Sequence, residues 1–138
     1  MIRPMTSTVL YSGNLRTEAT HLKSGNTLLT DAPTDNHGLG ETFSPTDLVA
    51  TALASCMLTV MGIKANALGK PMDGATAEVT KVMQSGPRRI QRVEVTLRIP
   101  TGTLTEDERQ TLERVGRGCP VARSLSEQTE QRITFAWT

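Results

Sequence analysis

The segment SPTDLVATALASCMLTVMGIKANAL, residues 44–68, decides the fold, because it predicts one long helix. Ser44 can cap the free backbone N–H groups, and Pro45 suits the first helical position. Asp47 follows the cap by three residues, as in a capping box. Gly69 then predicts the end of the helix, since glycine readily adopts the left-handed conformation found there.

Apolar side chains fall on nearly every side of this helix, and a helix that is apolar all round must be covered all round. They are Leu48, Val49, Leu53, Cys56, Met57, Val60, Met61 and Ile63. A membrane span wants about 20 mostly apolar residues. This segment is rich in Thr and Ser and is interrupted by Lys64 and Asn66, so we expect a buried central helix.

The composition favours one soluble domain over residues 1–138, with 37% hydrophobic but only 3% aromatic residues. The core must therefore be aliphatic and rich in methionine, and we expect a homodimer to complete the burial of the helix. The formal net charge of +1 gives no argument for nucleic acid as a partner. Residues 1–10 lack the apolar run of a signal peptide, and no membrane span is expected, so the cytoplasm is the expected compartment.

Strands are predicted on both sides of the helix. They are residues 6–11, 16–22 and 27–30, read as an antiparallel meander, and residues 75–84, 90–99 and 131–137. An aperiodic loop, residues 31–43, leads into the helix. A capping box at Thr105 begins a second helix, which glycines and a proline break near Cys119 before a last helical piece at residues 121–127. The fold class is α+β.

The chemistry of the sequence lies in its two cysteines, Cys56 and Cys119. A structural disulfide is disfavoured in a reducing compartment. Zinc is disfavoured because His21 and His37 complete no motif of ligand spacing. Two readings stay open, namely two buried apolar thiols or a reactive thiolate with a resolving thiol.

The local sequence distinguishes the two thiols. Cys119 precedes Pro120 and can begin a helical piece, where the positive end of the helix dipole favours a thiolate. Cys56 stands in the middle of a helix and lacks that help. Its activation would need a cation or a hydrogen-bond donor from the loop at residues 31–43 or from a partner subunit.

Three short segments carry a resemblance to a known family. They are Ser44-Pro45 with Asp47-Leu48, Ala52-Leu53-Ala54-Ser55-Cys56, and Gly118-Cys119-Pro120-Val121. Together they resemble the OsmC/Ohr family of thiol-dependent, peroxide-detoxifying proteins. The resemblance implies an intertwined homodimer of α+β subunits, with antiparallel strands around the long central helix. Each of two interface sites would hold a peroxidatic Cys56 and a resolving Cys119.

The same resemblance implies a reaction cycle. The Cys56 thiolate attacks a hydroperoxide and becomes a sulfenic acid, Cys119 condenses with it, and an external dithiol reduces the disulfide. No metal and no organic cofactor is needed. Leu53, Met57 and Met61 could form apolar walls that suit organic hydroperoxides, although such residues are more often plain core.

The residues that would activate Cys56 depart from the family pattern. In the better known branches a glutamate follows the proline at the helix start and partners an arginine, whereas this chain has Thr46 there. Arg16 is a loose match for the arginine, and His37 or Glu41 could substitute for it. A thiol peroxidase is therefore the expected function. The alternatives are a non-peroxidase protein that binds a small apolar or thiol ligand in the dimer-interface cavity, and a dimer with inert cysteines.

Overall fold

A computed structural model describes residues 3–138, and these form a mixed α+β fold. In chain order the elements are β1 (Ser7–Gly13), β2 (Arg16–His21), β3 (Thr27–Asp31), a 3₁₀ turn (Thr34–Asn36), α1 (Pro45–Ala67), β4 (Thr76–Gln84), β5 (Arg89–Ile99), α2 (Glu106–Arg117), α3 (Pro120–Ser124) and β6 (Glu130–Trp137). The predicted fold class is confirmed. The chain divides into two compact units, one ending at Leu48 and the other beginning at Val49. That both form a single domain stays a prediction.

The first unit contains the predicted antiparallel meander, β1-β2-β3. Val9 pairs with Ala19, which in turn pairs with Leu28, and the next row joins Leu10 and Leu29 across Glu18. Because successive residues of a strand point to opposite faces, these two rows place leucine or valine on both faces of the sheet. Both faces of this small sheet are therefore apolar in part.

The helix α1 begins and ends as its sequence predicts. The Ser44 hydroxyl accepts a hydrogen bond from the Asp47 amide at 3.0 Å, and the Asp47 carboxylate accepts one from the Ser44 amide at 2.9 Å. At the other end, Gly69 has a φ of +71° and the Lys70 amide donates to the Ala65 carbonyl at 3.0 Å. These contacts satisfy backbone groups that a helix end otherwise leaves unpaired.

One face of α1 is not covered by this chain, which agrees with the expectation that a single chain does not bury the helix completely. The buried residues are Ala50, Leu53, Ala54, Met57, Met61 and Ala65. On the opposite side Ser55 and Thr59 are exposed, and Ile63 is 67% exposed. The uncovered face of α1 therefore lacks apolar contacts within this chain.

By length and composition α1 could cross a membrane, so the expectation that no segment qualifies was wrong. It is the one such helix among residues 3–138. Its buried face belongs to the apolar core of the second unit, and the core helix of a soluble protein passes the same test. The length and composition of α1 are therefore weak evidence for a membrane span.

The second unit contains a sheet of order β4-β5-β6. The hairpin of β4 and β5 is antiparallel, as predicted, whereas β6 runs parallel to β5, with Val95 opposite Ile133. The chain passes through α2 and α3 before it returns, and such a crossover allows parallel pairing. As the central strand, β5 buries every second side chain, Val93, Val95, Leu97 and Ile99.

The two C-terminal helices differ in length. The Thr105 hydroxyl accepts from the Glu108 amide, and the Glu108 carboxylate accepts from the Thr105 amide, so the predicted capping box at the start of α2 is present. The final piece, expected at residues 121–127, ends at Ser124 because Leu125 is extended, with a ψ of 151°. The helix α3 is thus a single turn and a fraction.

A glycine lets α2 pack closely on α1. A Cβ atom at Gly116 would lie 2.7 Å from the Met61 sulfur and 3.6 Å from the Met57 methyl carbon. Met57 and Met61 are fully buried, with 0% exposure, so neither has open space into which to move. Since real Cβ atoms do not approach other heavy atoms to 2.7 Å, the spacing of the two helices requires glycine at this position.

Gly116→Ala is expected to lower the free energy of unfolding by about 1–2 kcal/mol, because overpacking outweighs the gain in helix propensity of up to about 1 kcal/mol. The measurement is urea denaturation. The matched control is Gly62→Ala, since Gly62 lies in α1 and has no heavy atom within 4 Å of an added Cβ. Equal or higher stability of both variants would contradict close packing at Gly116.

Candidate active site around Cys56 and Cys119

The second unit brings the two cysteines together. Cys56 lies in the middle of α1, and Cys119 is the N-cap residue of α3, directly after the loop that ends α2. Both thiols are free, and Cys56 packs against the core cluster that includes Cys119. The close approach of α2 to α1 at Gly116, three residues before Cys119, places the two sulfurs side by side.

The two thiols differ in exposure. Cys119 is 1% exposed and belongs to the buried core, whereas Cys56 is partly buried and packs against that core. A reagent from solvent therefore meets Cys56 before Cys119. A pair of adjacent thiols, one accessible and one shielded, is the arrangement that an oxidation and resolution sequence needs.

Burial raises the pKa of the Cys119 thiol, and contact with the Cys56 thiol raises it further. Backbone N–H groups act in the opposite direction. The Ala122 amide donates to the Cys119 sulfur at 3.4 Å, and Val121 also contributes. Desolvation is the largest cause, so the expected thiolate at the start of a helical piece is corrected to a neutral thiol of raised pKa.

Arg16, the loose match for the activating arginine, is held in the first unit by Asp31. Its guanidinium donates to both carboxylate oxygens of Asp31, at 2.7 and 2.9 Å, and contacts Glu41 at 3.3 Å. Asp31 is 1% exposed, and Arg16 holds its pKa below the usual range. The Glu41 amide also donates to Asp31, at 3.0 Å. A buried carboxylate is thus the main partner of Arg16 in this chain.

The other candidate residues of the first unit lie on the surface or at the start of α1. The Thr46 hydroxyl is 3.2 Å from the Ser44 hydroxyl, where it supports the cap. His37 is exposed in a left-handed conformation, with a φ of +70°. The Glu41 side chain is 63% exposed. The structure thus joins Arg16 to Glu41 in the first unit, and Cys56 to Cys119 in the second.

Three residues considered as apolar walls of a substrate cavity are core residues. Leu53, Met57 and Met61 have no exposed surface. They fill the space between α1 and the elements packed on it, so they cannot contact a ligand that enters from solvent.

A groove that the sequence did not suggest lies beside Cys119. It is lined by Val60, Lys64, Thr111, Arg114, Val115, Gly118, Cys119, Pro120 and Arg123. Three of these residues are cationic and none is acidic. The residues come from four separate segments, so no local sequence pattern could have shown the groove.

The described residues contain no metal-binding cluster. Across residues 3–138, no group of three or more His, Cys, Asp or Glu side chains is arranged to hold a metal ion.

The family follows from the sequence match across this site. A model of the OsmC-like protein family matches residues 38–134, a stretch that includes all of α1 and both cysteines. The chain belongs to this family. No curated protein matches it.

Solved structures of OsmC-like proteins share the fold over almost the whole chain. A Psychrobacter arcticus protein, described as an osmotic stress induced and detoxification response protein, is 45% identical, with a TM-score of 0.92 and 98% of each chain covered. An organic hydroperoxide resistance protein OsmC from Legionella pneumophila is 15% identical, with a TM-score of 0.71 over 98% of this chain and 99% of that one. An OsmC-like protein from Mycoplasma pneumoniae is 16% identical, with a TM-score of 0.79 over 100% and 99%. The last two likenesses establish the fold alone.

The raised pKa of Cys119 can be measured directly. In a Cys56→Ala variant, the thiolate absorbance near 240 nm should rise with a midpoint above that of an ordinary thiol, about 8.5, because burial disfavours the charged form. A variant that lacks both cysteines supplies the tyrosine background. A midpoint below that of an ordinary thiol would show instead that the dipole and the backbone N–H groups dominate.

Proposed function

We propose that this OsmC-like protein is a thiol peroxidase that reduces organic hydroperoxides through Cys56 and Cys119. The observation that carries the proposal is the pairing of a partly exposed free thiol with a buried one in one compact unit, where Cys56 packs against the core that contains Cys119. Membership of the OsmC-like family supports it, as does the description of the Psychrobacter relative as a detoxification response protein. The fold shared with a hydroperoxide resistance protein is compatible with it.

The first step oxidises Cys56. Its thiolate attacks the terminal oxygen of ROOH, the O–O bond breaks, and its electron pair leaves with RO⁻, which takes a proton to give ROH. The sulfur becomes a sulfenic acid. Cys56 is assigned this step because it is the more accessible of the two thiols, whereas Cys119 is 1% exposed.

The second step forms the disulfide. The Cys119 sulfur attacks the sulfenic sulfur, the S–O bond breaks, and the hydroxide takes the thiol proton and leaves as water. Cys56 packs against the core cluster that includes Cys119, so a local movement can bring the two sulfurs to the S–S bond length of about 2.05 Å. An external dithiol then reduces the disulfide by two exchanges, and no metal or organic cofactor takes part. The cytoplasm suits the cycle because it keeps both thiols reduced between turnovers.

We also propose that two chains form a homodimer, because much apolar surface of one chain is uncovered. Exposed large side chains lie on both faces of the β1-β2-β3 sheet and on α1: Val9, Leu10, Tyr11, Leu28, Leu29, Val49 and Ile63. A three-stranded sheet with apolar residues exposed on both faces is unusual for a monomer. We expect the partner subunit to supply the cation that activates Cys56.

The peroxidase assignment predicts the loss of two free thiols per chain when reduced protein meets one equivalent of cumene hydroperoxide. Cys56→Ala should abolish the fast loss, while Cys119→Ala should lose only its single thiol and form a sulfenic acid that dimedone traps. Thiol titration and mass spectrometry measure both. Hydrogen peroxide is the comparison oxidant and is expected to react more slowly.

The control is Cys119→Ala protein treated with dimedone but without peroxide, and it should show no labelling of the Cys56 thiol. Thiols that stay intact for minutes with both oxidants would overturn the peroxidase assignment. That result would favour the alternative function, a non-peroxidase protein that binds a small apolar or thiol ligand.

The dimer predicts that wild-type protein has twice the mass of one chain by light scattering. Leu10→Asp should shift the mass toward that of one chain, because a carboxylate then stands on a face that the partner would cover. Ser7→Asp adds the same charge to an exposed residue of the same strand and should leave the mass unchanged. A monomeric wild-type protein would refute the proposal.

A further inference from the structure

The groove beside Cys119 holds three cations that no acid neutralises. Lys64, Arg114 and Arg123 line it, and none of the three is in an ion pair within the described part of the chain, residues 3–138. Arg114 donates only to the Thr111 hydroxyl, at 3.3 Å, and Arg123 to the Gly118 carbonyl, at 2.7 Å. The formal net charge of the chain is only +1, so this concentration of positive charge is local.

The groove meets the redox pair on one side only. Cys119 lines it, whereas Cys56 does not. A ligand in the groove therefore lies next to Cys119. In the reduced protein the Cys119 sulfur is shielded, since the residue is 1% exposed, so it offers a ligand little chemistry. In the disulfide this sulfur is an electrophile, and the groove is the side from which a thiolate would approach it once a local movement uncovers it.

We propose that the groove binds the anionic end of a small thiol reductant and directs its thiolate to the Cys119 sulfur of the disulfide. This inference rests on the proposed peroxidase cycle and assigns a site to its reductive half. Lys64 and Arg114 attract and orient the anionic group. Arg123 adds a third positive charge next to the loop that carries Cys119.

The exchange balances as two displacements. The reductant thiolate forms a bond to the Cys119 sulfur, the protein S–S bond breaks, and its electron pair leaves on Cys56, which takes a proton. A second reductant thiol, as a thiolate, then displaces Cys119, which takes a proton, and the reductant leaves as its own disulfide. Attack at Cys119 is the direction that the groove favours, because Cys119 lines it and Cys56 does not.

All three cations stand in the last turns of their helices, where positive charge also stabilises the helix dipole. A purely structural role is therefore the competing explanation. It predicts that removing the charges lowers the melting temperature and leaves the choice of reductant unchanged. A rate preference between two reductants separates the two explanations.

The test uses the full chain oxidised to its disulfide with diamide, so that it does not depend on any reaction with peroxide. The reductants are 3-mercaptopropionate and the isosteric, uncharged 3-mercaptopropanamide, with rates expressed per thiolate. Wild-type protein should prefer the anion by roughly tenfold at low salt, and 0.5 M salt should remove most of the preference. Lys64→Gln with Arg114→Gln should reduce it to about unity, with little effect on the rate with the amide.

The matched control is the double variant Arg98→Gln with Arg132→Gln, which also removes two positive charges, both from exposed ion pairs on the sheet. It should keep the tenfold preference. A preference that is absent in wild-type protein, or that survives in the double variant of Lys64 and Arg114, overturns the proposal. So does a first mixed disulfide that mass spectrometry finds on Cys56 instead of Cys119.

A parallel arm decides whether the anionic ligand is instead the oxidant. It compares linoleate hydroperoxide with its methyl ester in the oxidation of reduced protein. The proposal is overturned if the double variant of Lys64 and Arg114 loses a preference for the anionic hydroperoxide but keeps the preference for the anionic thiol. The groove would then bind the oxidant and not the reductant. If peroxides leave the thiols intact while the diamide-made disulfide still prefers the anionic thiol, the peroxidase assignment fails and the groove site stands.

Discussion

The distance between α1 and α2 is the constraint on which the site depends. Gly116 sets it, because the side chains of Met57 and Met61 occupy the space that a Cβ would need. Cys56 precedes Met57 directly, and Cys119 follows Gly116 by three residues. The packing that closes the core of the second unit therefore also places one thiol against the other. Core and site cannot be varied independently here, since a wider helix spacing would separate the sulfurs.

Burial distinguishes the two thiols of the site. The partly exposed Cys56 can meet a substrate, while Cys119 is removed from solvent and has a raised pKa. A shielded thiol is protected from direct oxidation by substrate but remains in contact with its neighbour. In the proposed cycle, exposure is enough to decide which sulfur is oxidised first and which resolves it.

The sequence predicted what depends on local rules. Local capping residues predicted the two ends of α1, at Ser44 and Gly69, and the capping box at Thr105. The alternation of apolar and polar residues predicted the strands. It could not show the parallel pairing of β6 with β5, because register between distant strands has no local signal. It also missed Asp31, whose burial depends on Arg16 and on the loop backbone at Glu41. Composition indicated that one chain would not cover α1 completely, but it could not show which face of the helix stays exposed.

Arg16 and the three cations of the groove differ in whether an acidic side chain neutralises them. Arg16 forms ion pairs with Asp31 and Glu41, so its charge is largely neutralised within the first unit. Lys64, Arg114 and Arg123 have no acidic partner within residues 3–138, and they converge on the segment that carries Cys119. An uncompensated cation acts on whatever anion can approach it, whereas a paired one acts mainly on its partner. In the proposed reduction of the disulfide, the electrostatic selectivity comes from the groove beside Cys119.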